Sequence, residues 1–237
     1  ASYRLSKRAR FRVGTEFVSA TSDVAVEAPQ FEGDELSVST FKGTIYQPAL
    51  YSTMTLAPTE KLMFFPGVRL TAYAGLLDAV VVDPRIRFAW NVGDRTTIKG
   101  GFGQYSQAPQ PFELSNGFGN PNLSPERSLH SSLGIAQAFE NDISLEVTGF
   151  HKYLWDLSAS SQTLIQRDGN STPEFFASTQ FGRIYGMELL FRKDLTRNLF
   201  GWVSYTLSRS ERKNTEDSDW FNFDFDQTHI LTLIASY

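Results

Sequence analysis

Apolar and polar residues alternate with a period of two along most of the chain. Over 8–18, Arg8, Arg10, Arg12 and Glu16 share one parity while Phe11, Val13, Thr15 and Phe17 hold the other, the pattern of a strand with one wet and one greasy face. Arg69 and Thr71 oppose Val68 and Leu70; Arg85, Arg87 and Asn91 oppose Ile86, Phe88 and Trp90; Glu188 and Arg192 oppose Tyr185, Met187, Leu189 and Phe191. The same reading predicts strands near 8–18, 42–57, 62–74, 83–92, 96–106, 127–139, 143–157, 181–193, 199–209 and 225–237. Pro66, inside the third of these, predicts a bulge.

The connections sort by length. Short turns fall near 58–61, 93–95, 140–142 and 194–198, and long loops near 19–40, 107–126, 158–179 and 210–224, with 75–82 the shortest on the long side. Short turns on one rim and long loops on the other predict an all-β fold, an antiparallel transmembrane β-barrel of about ten strands occupying 1–237 as one domain. A strand of roughly ten residues suffices for a tilted bilayer crossing. Residues 107–126 hold Pro109, Pro111, Pro121 and Pro125 with Gly117 and Gly119. They remove donors and favour turns, so neither ladder nor helix is expected there. Ten strands place both termini on one rim, and closure would require the strand at 8–18 to bond to that at 225–237.

Composition narrows the functions. There is no cysteine, hence no disulfide framework and no thiolate metal site. A net charge of −4 argues against a nucleic-acid partner. The excess of 20 Phe over 3 Met favours strands. No apolar run reaches the length of a membrane-spanning helix, and Ala1–Arg12 lacks the apolar stretch of a signal peptide. An exported chain would therefore be a mature form or an excerpt.

The wording of several segments is specific. Tyr105-Ser106-Gln107-Ala108-Pro109, Phe112-Glu113-Leu114 and Gly119-Asn120-Pro121-Asn122-Leu123-Ser124-Pro125-Glu126-Arg127-Ser128 resemble a strand-to-strand crossing of TonB-dependent outer-membrane receptors. Gly182-Arg183-Ile184-Tyr185-Gly186-Met187-Glu188-Leu189, Trp202 to Ser210 and Phe225 to Leu231 resemble strands of the same family. Pro58 to Leu62 and Pro66 to Arg69 do so more loosely. The resemblance implies residence in the bacterial outer membrane and uptake of a scarce bulky nutrient, such as an iron chelate, a cobalamin or a glycan. The family also carries a plug domain, a TonB-contacting segment and a barrel of twenty-two strands. None of these is read in this sequence, so the chain is expected to be either an excerpt of such a barrel or a miniature one.

The charged residues of the wet parity would cost roughly 2–4 kcal/mol each in lipid near the midplane. They are therefore expected to line a lumen: Arg8, Arg10, Arg12, Glu16, Arg69, Arg85, Arg87, Lys99, Glu146, Lys152, Glu188 and Arg192. They could border an anion-tolerant path, or form an Arg–Glu lattice that fills a narrow interior. Phe112, Asn116, Asn120 and Trp220 are loop candidates for contacting a small-molecule ligand. The acids Glu216, Asp217, Asp219, Asp224 and Asp226 surround aromatics and fit a solvated face better than a Ca²⁺ loop. His130, His151 and His229 share no ligand spacing, so neither metal nor cofactor is expected. No nucleophile elbow, phosphate loop or dinucleotide fingerprint occurs. Asp226 and His229 stand near the outer rim, where some ten-stranded outer-membrane proteases use Asp and His pairs, but the chain shows no resemblance to that family and an enzyme is not expected. Without plug or coupling segment the chain by itself reads as a passive pore or scaffold in the lipid bilayer, with a loop-based ligand-binding module as the alternative.

Overall fold

The computed structural model describes residues 1–29, 36–116, 119–167, 169–196 and 199–237. Every regular element among them is a strand: β1 (Ser2–Ser6), β2 (Ala9–Pro29), β3 (Leu36–Leu56), β4 (Leu62–Phe64), β5 (Gly67–Gly75), β6 (Ala79–Asn91), β7 (Thr96–Gln107), β8 (Glu126–Ala138), β9 (Ile143–Arg167), β10 (Asn170–Thr196), β11 (Leu199–Lys213), β12 (Phe221–Asn222) and β13 (His229–Ser236). All pairings are antiparallel between neighbours in sequence, giving one meandering sheet. β4 and β5 are two pieces of one pass along β3 and β6, and β12 and β13 two pieces of one pass along β11. The ten expected strands are all present. β1 is additional; at five residues it is too short to show a convincing alternation.

Pro66 does not create a bulge. Leu56 opposes Phe64 and Thr53 opposes Gly67, so the register runs through unchanged. Proline only deletes one donor there, and its carbonyl still accepts from Met54 N at 2.8 Å.

Two expected loops are largely strand, and a third is shortened at one end. β2 and β3 stay paired out to Pro29 opposite Leu36, which leaves 30–35 between them. β9 and β10 pair out to Arg167 opposite Asn170 across most of 158–179. β11 continues to Lys213, while the last strand begins at His229 rather than 225. At about 3.3 Å per residue, the 25 residues of β9 extend about 80 Å, far beyond a bilayer crossing. The upper part of β9 is polar on both faces, and the alternation that marks a strand disappears there. Glu32, Gly33, Asp34 and Glu35 of the first loop lie outside the described residues, as do Gly117 and Asp168.

The sheet is open. β2 bonds to β1 and β3, β13 bonds to β11, and no pairing among the described residues joins the two edges. β1 turns back up the wall, so that Ala1 O accepts from Val13 N at 3.0 Å.

The two faces differ. Val80, Val82, Leu133 and Leu231 are 67%, 52%, 61% and 68% exposed, whereas Val81 and Tyr73, on the charged parity, are 4% and 5%. Above the charged band the concave face turns apolar: Ile45 of β3, Tyr73 of β5, Leu77 and Val81 pack with Leu114 and Leu123 from the loop between β7 and β8. Burying each of those two leucines stabilises the loop by roughly 1.5–3 kcal/mol.

Candidate functional site

The register sets the position of each charged candidate. Arg10, Arg12 and Glu16 oppose Thr55, Thr53 and Ala49; Tyr51 and Ala49 in turn oppose Arg69 and Thr71. Arg85 and Arg87 oppose Gly103 and Gly101, and Lys99 opposes Gly134. Glu146 and Lys152 oppose Ala136 and His130, while Glu188 and Arg192 oppose Thr206 and Trp202. One parity thus runs from β2 to β11 on a single face, and Arg8 shares it at the lower turn, donating from Nη1 to Pro58 O at 3.2 Å.

Ion pairs knit part of this face. Arg69 Nη1 lies 3.0 Å from Glu16 Oε2, and Lys99 Nζ lies 2.6 Å from Glu146 Oε1. Arg192 pairs with Asp194 at the lower turn. Arg87 sits 5.5 Å over the Phe65 ring, Arg85 6.0 Å over Tyr105 and Lys152 5.9 Å over Phe150, positions where an aromatic face attracts a cation. Glycines opposite the arginines make room: a Cβ on Gly103 would come within 2.7 Å of Arg85 Cβ. Glu188, Glu146, Lys99 and Arg87 border one concavity on this face. Arg4 and Asp83 join the same face. Arg4 opposes Arg10, and the buried Asp83 accepts from Ser106 Oγ at 2.8 Å. Asp83 stands at the very start of its alternating run, so only the pairing reveals its role.

Residues 108–116 and 119–124 of the crossing fold down onto the concave mouth. Its prolines forbid a ladder, and a tight turn replaces it: Glu113 N donates to Gln110 O, Leu114 N to Pro111 O and Ser115 N to Phe112 O. Glu113 Oε2 caps the turn by accepting from Gln110 N at 2.8 Å. A Cβ at Gly119 would strike the Glu113 carbonyl, which explains glycine at that point of the Gly-Asn-Pro phrase. Asn120, 4% exposed, donates from Nδ2 to Phe176 O at 2.8 Å and Glu174 Oε1 at 3.1 Å, and its Oδ1 accepts from Asn122 N at 3.0 Å. Glu174 also accepts from Ser161 Oγ, and Ser124 N donates to Ser178 Oγ. The extended β9–β10 hairpin therefore holds the loop in place. Burial raises the Glu113 carboxyl above the ordinary glutamate range, its hydrogen bonds from Gln110 and Ser158 oppose that, and nearby Glu126 adds to it.

These placements separate the four loop candidates. Phe112 packs edge-on against Phe176 with centroids 5.9 Å apart yet stays 39% exposed, and Asn116 is exposed beside it. Asn120 is an internal anchor with its polar atoms engaged. Trp220 lies elsewhere, over Arg183 at 4.3 Å and Lys213 at 5.4 Å on the opposite, outward face. That outward rim also holds Glu211, which accepts from Arg183 Nε at 2.6 Å and Arg209 Nε at 3.3 Å. The alternation does not announce this cluster, because Arg183 and Arg209 fall inside apolar-parity runs where a charge looks like an interruption.

The suggested rim pair does not form. Asp226 accepts from Ser210 N and Thr228 Oγ1, while His229 Nδ1 lies 2.8 Å from Tyr205 OH. Among the described residues no three His, Asp or Glu side chains converge.

Comparison with known proteins gives a consistent result. A family model described as TonB dependent receptor-like, beta-barrel, matches residues 2–233. The iron-regulated outer membrane virulence protein of Vibrio cholerae serotype O1 is 26% identical over 55% of this chain, which there spans only 22% of the relative's length. The outer membrane transporter YddB from Escherichia coli superposes on 99% of this chain and 38% of its own, with a TM-score of 0.70 and 12% identity. The siderophore receptor PirA from Pseudomonas aeruginosa covers 86% of this chain and 40% of its own, with a TM-score of 0.64 and 17% identity.

Proposed function

The chain belongs to the TonB-dependent receptor β-barrel family, whose members are outer-membrane receptors and transporters rather than enzymes, and from that premise we propose that it forms part of the wall of a ligand-transporting barrel. The charged parity would line the aqueous interior, and the apolar parity would meet lipid. One observation carries this reading: eleven charged side chains from β2, β5, β6, β7, β9 and β10, with Arg8 at the adjoining turn, fall on one face while Val80, Val82, Leu133 and Leu231 stand exposed on the other. Of the twelve, nine are cations, and among the described residues only Arg69 and Lys99 pair with acids of the set. The face therefore retains a basic excess suited to an anionic solute. An anionic metal chelate is the ligand class to test first, since similar proteins are named siderophore receptors or iron-regulated.

An open sheet conducts nothing by itself. A scaffold role, with β1 and β13 bonding to further strands, is therefore favoured over a self-contained passive pore. Phe112 and Asn116, exposed at the mouth, are the loop residues placed to meet a ligand.

The full protein in planar bilayers tests the wall assignment. An anion preference that inverts in R85E/R87E supports it, and a conductance indifferent to that double reversal contradicts it.

A further inference from the structure

Between the wall and the tip of the tall hairpin, the β9–β10 ladder is interrupted twice. The register slips between Gly182 and Ser178, and again between Phe175 and Pro173. Between the slips lie four unbroken pairs, Phe175, Phe176, Ala177 and Ser178 opposite Ser161, Ser160, Ala159 and Ser158. No third strand pairs with this block among the described residues: β8 reaches only Trp155 on one side, and β11 only Phe181 on the other. A slipped register breaks the ladder and bends the strand, so the block has a hinge at either end.

The same block holds the crossing. Asn120 Nδ2 donates to Phe176 O at 2.8 Å and to Glu174 Oε1 at 3.1 Å, and Ser124 N donates to Ser178 Oγ at 3.0 Å. The Phe176 ring meets Phe112 edge-on and packs against the apolar cluster that holds Leu114 and Leu123. Each hinge also carries a left-handed residue, Asp156 at φ +55° below and Phe175 at φ +67° above. Aspartate tolerates that conformation. For a bulky aromatic it is costly, and it persists only where surrounding contacts impose it. Here they come from both neighbours, since Glu174 and Phe176 each hold Asn120, and Glu174 also accepts from Ser161 Oγ at 2.9 Å.

We propose that the block 158–161/175–178 and the crossing move as one clasp, sprung by Phe175, over the apolar floor formed by Ile45, Tyr73, Leu77 and Val81. Seated, the clasp keeps that floor buried, with Leu77 only 4% exposed. Released, Phe175 relaxes to extended backbone and the floor opens to water. The strain at Phe175 opposes the contacts of Asn120 and so keeps release within reach of the folded protein. The inference concerns closure alone and does not depend on which face of the wall meets lipid.

The test is the rate at which a water-soluble maleimide labels L77C in the full protein, read at that residue by peptide mass spectrometry; this chain has no cysteine of its own. The parent is compared with F175N, which accepts the left-handed backbone, and F175V, which resists it. F175N should label about fivefold more slowly than the parent, and F175V faster. If loss of the phenyl ring were all that mattered, both variants would label faster. That result overturns the proposal, as do three equal rates. Should either variant fail to fold, hydrogen exchange in the parent decides. Residues 119–124, 158–161 and 175–178 should then exchange through one common opening, and separate openings would overturn the clasp.

Discussion

Asn120 Nδ2 donates to the carbonyl of Phe176 at 2.8 Å, joining residues 56 apart in sequence. The bond ties the proline-rich crossing to the tall β9–β10 hairpin. With Leu114 and Leu123 packed on Ile45 and Tyr73, it makes the loop a fixed part of the mouth. N120A removes a buried donor from Glu174 and Phe176 and should loosen the loop by about 1–3 kcal/mol. Hydrogen exchange over 108–124 should accelerate accordingly, while the heat-modifiable mobility of the sheet stays unchanged.

Seating of the same loop should depend on pH through Glu113. Its carboxyl is raised chiefly by burial, so the folded loop holds the proton more tightly than a released one. That contribution is complete below the ordinary glutamate range, and it is lost as pH rises from about 4 through the raised value. Limited proteolysis within 108–124 should therefore become faster with rising pH in the wild type and flatten in E113Q.

Gly75 closes β5 with φ +102°, and a Cβ there would strike the Thr44 carbonyl oxygen. G75A combines backbone strain with a collision against the ladder and should cost about 1–3 kcal/mol. Gly93 is the control, since a Cβ added there would meet nothing within 4 Å. G93A should be neutral in the same urea-unfolding series.

Neighbouring arginines should behave oppositely on β11. Leu207 opposes Met187 on the outward face and Thr206 opposes Glu188 on the charged one. L207R should cost about 2–4 kcal/mol near the midplane, whereas T206R gains a carboxylate partner and should fold. Folded yield in outer membranes reads the difference.

Where one face is charged and the other apolar, the alternation is legible in the sequence: Arg85 against Ile86, Glu188 against Leu189. It fails where that contrast ends. Residues 158–167 and 171–179 are strand, but Ser158, Ser160, Ser161, Ser171 and Thr172 make both faces polar and resemble a loop. Pro66 looks like a disruption because sequence shows the missing donor but not that the register survives it. The candidate site is legible only as a parity. That Asn120 is an anchor rather than a ligand contact depends on Phe176 and Glu174, and that Arg183 meets Glu211 depends on the β10–β11 register. Neither pairing is local. The open edges are equally hidden, since closure is a property of pairing and not of period.

Single cysteines at 203, 204, 205, 206, 207 and 208 test the two-faced wall most directly, because the sequence has no cysteine of its own. Spin labels at 203, 205 and 207 should collide with oxygen dissolved in lipid, and those at 204, 206 and 208 with a water-soluble nickel chelate. The reverse order, or six positions that respond alike, would contradict the account.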